Sequence, residues 1–156
     1  MQHLVNVKVN GQSHTLVVNA NMTLLDMLRK NLGLTGTKKG CELGDCGSCT
    51  VIIDGKTVNS CLVLAVEASG KEILTIEGLA EGNELHPLQK AFIDYGAIQC
   101  GYCTPGMILS AKALLDRNSS PSEEEIKTAI GGNLCRCTGY IYIIEAIREV
   151  AGKQKE

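Results

Sequence analysis

Eight cysteines in two groups of four are the feature that most constrains how this chain can fold. The first group has the spacing C-x4-C-x2-C with a fourth cysteine further on, and its members are Cys41, Cys46, Cys49 and Cys61. The second group is a CxxC pair followed much later by a CxC pair, and its members are Cys100, Cys103, Cys135 and Cys137. Because four thiolates make one complete ligand set, the two groups use every cysteine without remainder.

The first spacing is the plant-type ligand pattern for a [2Fe–2S] cluster. Gly40, Gly44 and Gly47 are interleaved with these cysteines, and their missing side chains let the backbone fold tightly with its N–H groups aimed at sulfur. The second spacing is less decisive, because CxxC with two further cysteines is also the composition of a zinc site. The residues alone therefore predict one [2Fe–2S] cluster and leave iron–sulfur and zinc open for the second quartet.

A disulfide framework, the other common use of an even cysteine count, fits this chain poorly. With 156 residues and 44% hydrophobic composition, the chain can bury a core without crosslinks. Bridges within the CxxC or the CxC pair would also close very small, strained rings. The N-terminus has no charged region followed by an apolar one, so no secretory signal is predicted. We therefore expect a reducing, cytoplasmic location.

The composition argues against two common kinds of partner. Fifteen basic and seventeen acidic residues give a net charge of −2 with no basic run, so nucleic-acid binding is not expected. The longest apolar stretches, such as residues 62–66, are far too short to cross a bilayer.

The sequence has no GxGxxG fingerprint and no P-loop, and ligation of all eight cysteines would leave no thiol for nucleophilic catalysis. We expect no catalytic residue on this chain.

Residues 1–77 have the pattern of a small β-rich domain. Alternating valines lead into Asn10 and Gly11, a type I′ hairpin signal, and Asp54-Gly55 marks a second hairpin. Between the hairpins, Thr23 can cap a helix that Gly33 ends. The order ββα, cysteine loop and further strands predicts a ferredoxin-like β-grasp domain around the first quartet.

Residues 78–84 are short, acidic and glycine-containing, and we interpret them as a linker. Residues 85–156 then contain four helical segments. Pro87 opens the first, Thr104 the second and a capping box at Ser122 the third, with a fourth near the C-terminus. The second quartet lies in the turns. We predict an α+β fold, a β-grasp domain followed by a small four-helix bundle.

Three stretches of the chain carry a family resemblance, at residues 40–49, 99–107 and 132–140. On these residues, and over nearly its whole length, the chain resembles the iron–sulfur subunit of the xanthine oxidase, or molybdenum hydroxylase, family. The resemblance implies an outer [2Fe–2S] cluster on the first quartet and an inner [2Fe–2S] cluster on the second. It further implies that Gln99 and Cys137 approach a molybdopterin cofactor on a separate large subunit.

The function implied by this resemblance is electron transfer within a hetero-oligomeric oxidoreductase of the xanthine dehydrogenase or aldehyde oxidoreductase type. Electrons would pass from molybdopterin through the inner and then the outer cluster to FAD on a further, medium subunit. Two other functions stay open at this point. One is a stand-alone two-cluster ferredoxin, in which the helical half would have no role. The other is a zinc-stabilised interaction module, which would be recognised by its lack of visible absorption.

Metal content is the first test of these ligand sets. Because both quartets are complete, the purified chain should contain about four iron and about four acid-labile sulfides. Iron, zinc and sulfide analysis of the same sample measures this directly. About one zinc and about two iron per chain would instead show that the second quartet is a zinc site.

Overall fold

A computed structural model describes residues 1–153, which form an α+β fold. Its strands are β1 (Gln2–Val9), β2 (Gln12–Asn19), β3 (Thr50–Ile53), β4 (Lys56–Asn59) and β5 (Glu72–Leu74). Its α-helices are α1 (Leu24–Asp26), α2 (Pro87–Asp94), α3 (Thr104–Arg117), α4 (Glu123–Ile130) and α5 (Ile141–Lys153). The strands all precede the long helices, as the change of pattern near residue 77 predicts, and the α+β class is confirmed.

The strands form one mixed sheet in the order β2-β1-β5-β3-β4. Two antiparallel hairpins, β1–β2 and β3–β4, are joined by β5, which runs parallel to β1 and antiparallel to β3. Asn10 and Gly11 both have positive φ, at 50° and 80°, as do Asp54 and Gly55, at 48° and 80°. These values belong to the two type I′ turns that the sequence predicts.

One face of the sheet is covered by the segment after β2. Thr23 caps α1 by accepting a hydrogen bond from Asp26 N at 3.1 Å, and Leu24 and Leu28 are fully buried. The predicted single helix up to Gly33 is wrong in detail, because the chain widens after three α-helical residues into a π-helix, Met27–Asn31. Arg29 on this π-helix donates to the carbonyl oxygens of Thr35 and Thr37 and so fixes the approach to the cysteine loop.

The helical half has its own apolar core, contributed by α2 to α5. Its largest fully buried side chains are Phe92, Leu88, Met107, Ile126, Ile143 and Ile147. The predicted Ser122–Glu125 capping box is formed, and at the start of α2 His86 Nδ1 accepts from Leu88 N. Helix α5 continues to Lys153, while residues 154–156 of the predicted helical domain lie outside the described residues.

The two halves meet at a small buried polar junction centred on Asn133, which is 3% exposed. Asn133 Nδ2 donates to Gly47 O at 2.9 Å and to Thr50 Oγ1 at 3.1 Å. Its Oδ1 accepts from Ser110 Oγ of α3 at 2.8 Å. Beside the junction, Leu109 and Ala113 of α3 pack on Ile52 of β3. Asn133 therefore ties the first cysteine loop and β3 to the helical half.

Gly47 is the residue on which this close approach depends. It has φ +68°, and a Cβ at this position would overlap the carbonyl oxygen of Gly132. We expect Gly47→Ala to cost roughly 2–5 kcal/mol, from about 1–2 kcal/mol of left-handed strain and about 1–3 kcal/mol of overlap. Thermal unfolding of the iron-loaded chain measures the loss.

The matched control is Gly55→Ala, at a turn with φ +80° where a Cβ would have open space. It should cost only the backbone strain of about 1–2 kcal/mol. Equal losses in stability at the two positions would show that the contact between Gly47 and Gly132 does not hold the halves together.

Candidate metal centres

Within each quartet, the thiols approach one another in pairs. In the first quartet Cys41 interacts with Cys46, and Cys49 with Cys61. In the second, Cys103 interacts with Cys135, and Cys100 Sγ lies 3.6 Å from Cys137 Sγ. Two thiolates on one tetrahedral metal with bonds of about 2.3 Å stand roughly 3.7 Å apart. Each quartet thus presents two pairs, the arrangement that a cluster of two iron ions requires.

Residues 1–153 contain no group of three His, Cys, Asp or Glu side chains that converges to hold a single metal ion. In the first half, one pair lies in a tight loop and the other pair lies next to the strands β3 and β4. In the helical half, each pair takes one cysteine from the turn before α3 and one from the turn before α5. The donor sets therefore fit [2Fe–2S] clusters, with the ligand pairs supplied from separate segments.

Backbone N–H groups in the first cysteine loop point at sulfur. Cys41 Sγ accepts from Leu43 N and Asp45 N at 3.3 Å and from Cys46 N at 3.4 Å, and Cys41 N donates to Cys46 Sγ at 3.4 Å. The hydrogen bond from Leu43 N is the main reason that the pKa of the Cys41 thiol falls to about 7. This half of the site favours thiolate before any metal binds.

The other half of the first quartet is apolar. Cys49 and Cys61 are buried and pack against Leu25 of α1. Burial, with Cys49 close by, raises the pKa of the Cys61 thiol to about 11. A thiolate here needs a bound cation to offset the cost of desolvation, so metal binding must displace this proton.

In the second quartet, helix α3 begins directly after Cys103, which is its N-cap residue. Burial, with Cys135 as a neighbour, raises the pKa of the Cys103 thiol to about 12. Cys135 lies in the turn between α4 and α5, where its Sγ accepts from Thr138 N at 3.4 Å and its N donates to Tyr140 Oη at 2.8 Å. The helix N-terminus and the Thr138 N–H donor favour negative charge at this quartet.

One edge of the second quartet is open to solvent. Cys100, Cys137, Gln99 and Arg136 are all exposed. Large apolar side chains close to these cysteines in sequence are also exposed, namely Ile98, Tyr102, Leu134, Ile141 and Tyr142. Gln99 and Cys137, which the family resemblance assigns to a partner's cofactor, thus lie together at an exposed edge.

The two cysteine loops touch. Leu134 N donates to Cys46 O at 2.9 Å, and Tyr102 Oη donates to Lys39 O. A cavity of about 270 Å³ between the loops is lined by residues of both quartets, including Cys41, Cys46, Cys103 and Cys135. The two quartets are far apart in sequence, but their residues line the same cavity.

Sequence reasoning missed several residues of this region. Ser48 and Thr138 each lie against a cysteine sulfur, and their only sequence signal is their position close to a ligand. Asn133 lies within the 132–140 stretch, and nothing in the pattern of the chain indicates its contacts with Gly47 and Thr50.

Comparison with known proteins identifies the family. One family profile, described as a 2Fe-2S iron-sulfur cluster binding domain, matches residues 7–82, and another, described as a [2Fe-2S] binding domain, matches residues 75–148. The chain is 53% identical over 144 residues to the nicotinate dehydrogenase small FeS subunit of Eubacterium barkeri, with 92% of each chain covered. This chain belongs to the iron–sulfur small subunits of the molybdenum hydroxylase family.

Solved structures support the assignment of this chain to the molybdenum hydroxylase small subunits. A chain of quinoline 2-oxidoreductase from Pseudomonas putida 86 matches with a TM-score of 0.95 and 47% identity, over 98% of this chain and 94% of that chain. Aldehyde oxidoreductase from Desulfovibrio desulfuricans matches with a TM-score of 0.94 and 44% identity, over 97% of this chain but 17% of that chain. The same fold therefore occurs as a separate small subunit and as one segment of a longer polypeptide.

Each family profile contains one quartet, so both quartets belong to [2Fe–2S]-binding domains. The zinc alternative for the second quartet is not favoured. Within residues 1–153, no helix is both long and apolar enough to span a membrane.

Proposed function

We propose that this small subunit carries electrons from a molybdopterin centre on a large partner subunit, through two [2Fe–2S] clusters, to FAD on a medium partner subunit. When bound, the two clusters supply one-electron redox chemistry at low potential. The observation that supports this most is the contact between the cysteine loops, where Leu134 N donates to Cys46 O at 2.9 Å. Two redox sites held against each other fit transfer within one rigid unit.

The ligands in this proposal are the two quartets themselves. The outer cluster takes Cys41, Cys46, Cys49 and Cys61, and the inner cluster takes Cys100, Cys103, Cys135 and Cys137. The proposed division is a β-grasp domain at residues 1–77, a linker at 78–84 and a four-helix bundle at 85–156. The separate apolar cores of the two halves support it.

Exposed surface near each quartet is consistent with this direction of transfer. At the inner quartet, Gln99 and Cys137 are exposed within an apolar surface, which suits close approach of a partner's molybdopterin. At the outer quartet, exposed Leu43 and Leu62 adjoin ligands Cys41 and Cys61 by sequence, which suits a second partner. Electrons then enter at the inner cluster and leave from the outer one.

The organic substrate is bound elsewhere in this proposal. The relatives are named for different substrates, since they include a nicotinate dehydrogenase subunit and an aldehyde oxidoreductase, yet both are similar to this chain. Substrate choice therefore belongs to the large subunit. A stand-alone ferredoxin is not favoured, because the relatives are subunits or segments of larger oxidoreductases.

Cys49→Ser tests the order of the clusters. The variant should lose the outer cluster and keep the inner one, so that iron falls from about four to about two per chain. In the assembled complex, substrate should still reduce molybdenum and the inner cluster at the normal rate, while flavin reduction becomes at least about tenfold slower. Rapid-mixing spectroscopy follows these steps separately.

The reciprocal control is Cys103→Ser, which should remove the inner cluster and leave the outer one assembled. The outer cluster should then no longer be reduced rapidly by substrate. Normal flavin reduction in Cys49→Ser would overturn the proposed order from inner to outer cluster.

The apolar surface around the inner quartet tests the assembly. Tyr142 follows Cys137 closely in sequence and is 50% exposed, and Tyr142→Glu would place a charge in the proposed contact with the large subunit. We expect the amount of large subunit recovered with a tagged chain to fall about tenfold or more, with iron content unchanged.

Leu4→Glu is the matched control, because Leu4 is 63% exposed on β1, in the other half of the chain. It should leave recovery of the large subunit unchanged. Equal recovery with Tyr142→Glu and Leu4→Glu would contradict docking at the inner quartet.

A further inference from the structure

Two hydroxyl groups lie against cysteine sulfurs, one in each quartet. Ser48 Oγ is 3.2 Å from Cys46 Sγ, and Thr138 Oγ1 is 3.1 Å from Cys135 Sγ. A cysteine that binds iron does so as thiolate and has no proton to donate. Each hydroxyl must then be the donor in its pair.

The surroundings fix the direction of the Thr138 hydroxyl. Thr138 Oγ1 also accepts a hydrogen bond from Tyr140 N at 3.2 Å. Because Tyr140 N occupies an acceptor position of this oxygen, the hydroxyl proton is left for Cys135 Sγ. Thr138 N donates to the same sulfur at 3.4 Å, so this residue directs two donors at one thiolate.

The surroundings of Ser48 restrict its hydroxyl in a different way. Ser48 is 5% exposed, so solvent has little access to it. Gly40 closes the space in front of the pair, since a Cβ there would lie 2.6 Å from Ser48 Oγ and 2.7 Å from Cys46 Sγ. Gly40 thus confines the Ser48 hydroxyl on one side, next to the Cys46 sulfur.

We infer that Ser48 and Thr138 set the reduction potentials of the outer and inner clusters, each through a hydroxyl hydrogen bond to one thiolate of its own quartet. This inference rests on the proposed function, in which both quartets bind clusters. Reduction adds negative charge to a cluster, and a donor to sulfur stabilises the more negative state. Each hydroxyl therefore raises the potential of the cluster it touches.

Both residues are positioning residues, because neither one binds iron. Their hydroxyls can be removed while the backbone N–H donors remain, so the potential can change without loss of the ligand set. Since each hydroxyl contacts a single quartet, the two potentials should change independently of each other. The equilibrium distribution of an electron between the clusters then depends on both side chains.

The test uses the assembled complex, purified through a tag on this chain. Ser48→Ala and Thr138→Val remove one hydroxyl each, and the valine keeps the shape of threonine. Thr138→Ser keeps the hydroxyl and is the matched control. Iron analysis comes first, and redox titrations followed by electron paramagnetic resonance then give the potential of each cluster.

Ser48→Ala should lower the potential of the outer cluster alone and shift the electron distribution about tenfold towards the inner cluster. Tenfold corresponds to about 59 mV for a one-electron couple. Thr138→Val should lower the potential of the inner cluster alone and shift the distribution by a similar factor in the opposite direction. Thr138→Ser should leave both potentials at their wild-type values.

Unchanged potentials in Thr138→Val and Ser48→Ala, with full iron content, would overturn the inference, and so would a uniform shift of both clusters in either variant. If Ser48→Ala loses iron, Thr138→Val decides the matter by comparison with the wild type and with Thr138→Ser, because valine only replaces the threonine hydroxyl by a methyl group and serine keeps the hydroxyl. Failure of the proposed function is distinguishable, since it would appear in the wild-type complex as fewer than two reducible clusters.

Discussion

Negative charge at eight sulfur atoms is the constraint on which the rest of this structure depends. An ionised thiolate in a poorly solvated site is unfavourable unless donors or cations face it. The chain answers this constraint mainly with its backbone, since three N–H groups point at Cys41 Sγ within residues 41–46. Where such donors are few, at buried Cys61 and Cys103, the thiol pKa is raised and only a bound metal can hold the thiolate.

The same loop that points at sulfur also joins the two halves. Gly47 O accepts from Asn133 Nδ2, and Cys46 O accepts from Leu134 N. A buried amide is costly in a protein interior unless its donors and acceptor are satisfied, and Asn133 satisfies them with three hydrogen bonds. The cysteine loop therefore cannot shift without breaking this junction, which holds the quartets at a constant separation.

How far the sequence predicted this fold depends on how local each interaction is. The hairpin turns at Asn10 and Asp54 and the cap at Ser122 are set by neighbouring residues, and all three are confirmed. The parallel pairing of β1 with β5 and the π-helix after α1 depend on distant packing, and sequence periodicity did not indicate them. The strand and helix order could be predicted, but the sheet order could not.

The same contrast between local and distant interactions holds for the candidate site. Cysteine spacing is a local signal, and it predicted two complete ligand sets whose members the structure brings together in pairs. The contacts of Asn133 connect residues more than eighty positions apart, so no local pattern could reveal them. The roles of Gln99 and Cys137 came from family resemblance alone, and they stay predictions about a partner.

Cys46 and Cys135 adjoin the same backbone contact, because Leu134 donates to Cys46 O and precedes Cys135. These two cysteines are also the ones whose sulfurs lie against the Ser48 and Thr138 hydroxyls. Backbone hydrogen bonds and glycine contacts set the distance between the quartets, while the Ser48 and Thr138 hydroxyls act on the reduction potential of each cluster. Because those tasks fall to different groups, the potential of either cluster can change without moving the loops. A chain built this way can keep one rigid fold while its redox balance is adjusted by single side chains.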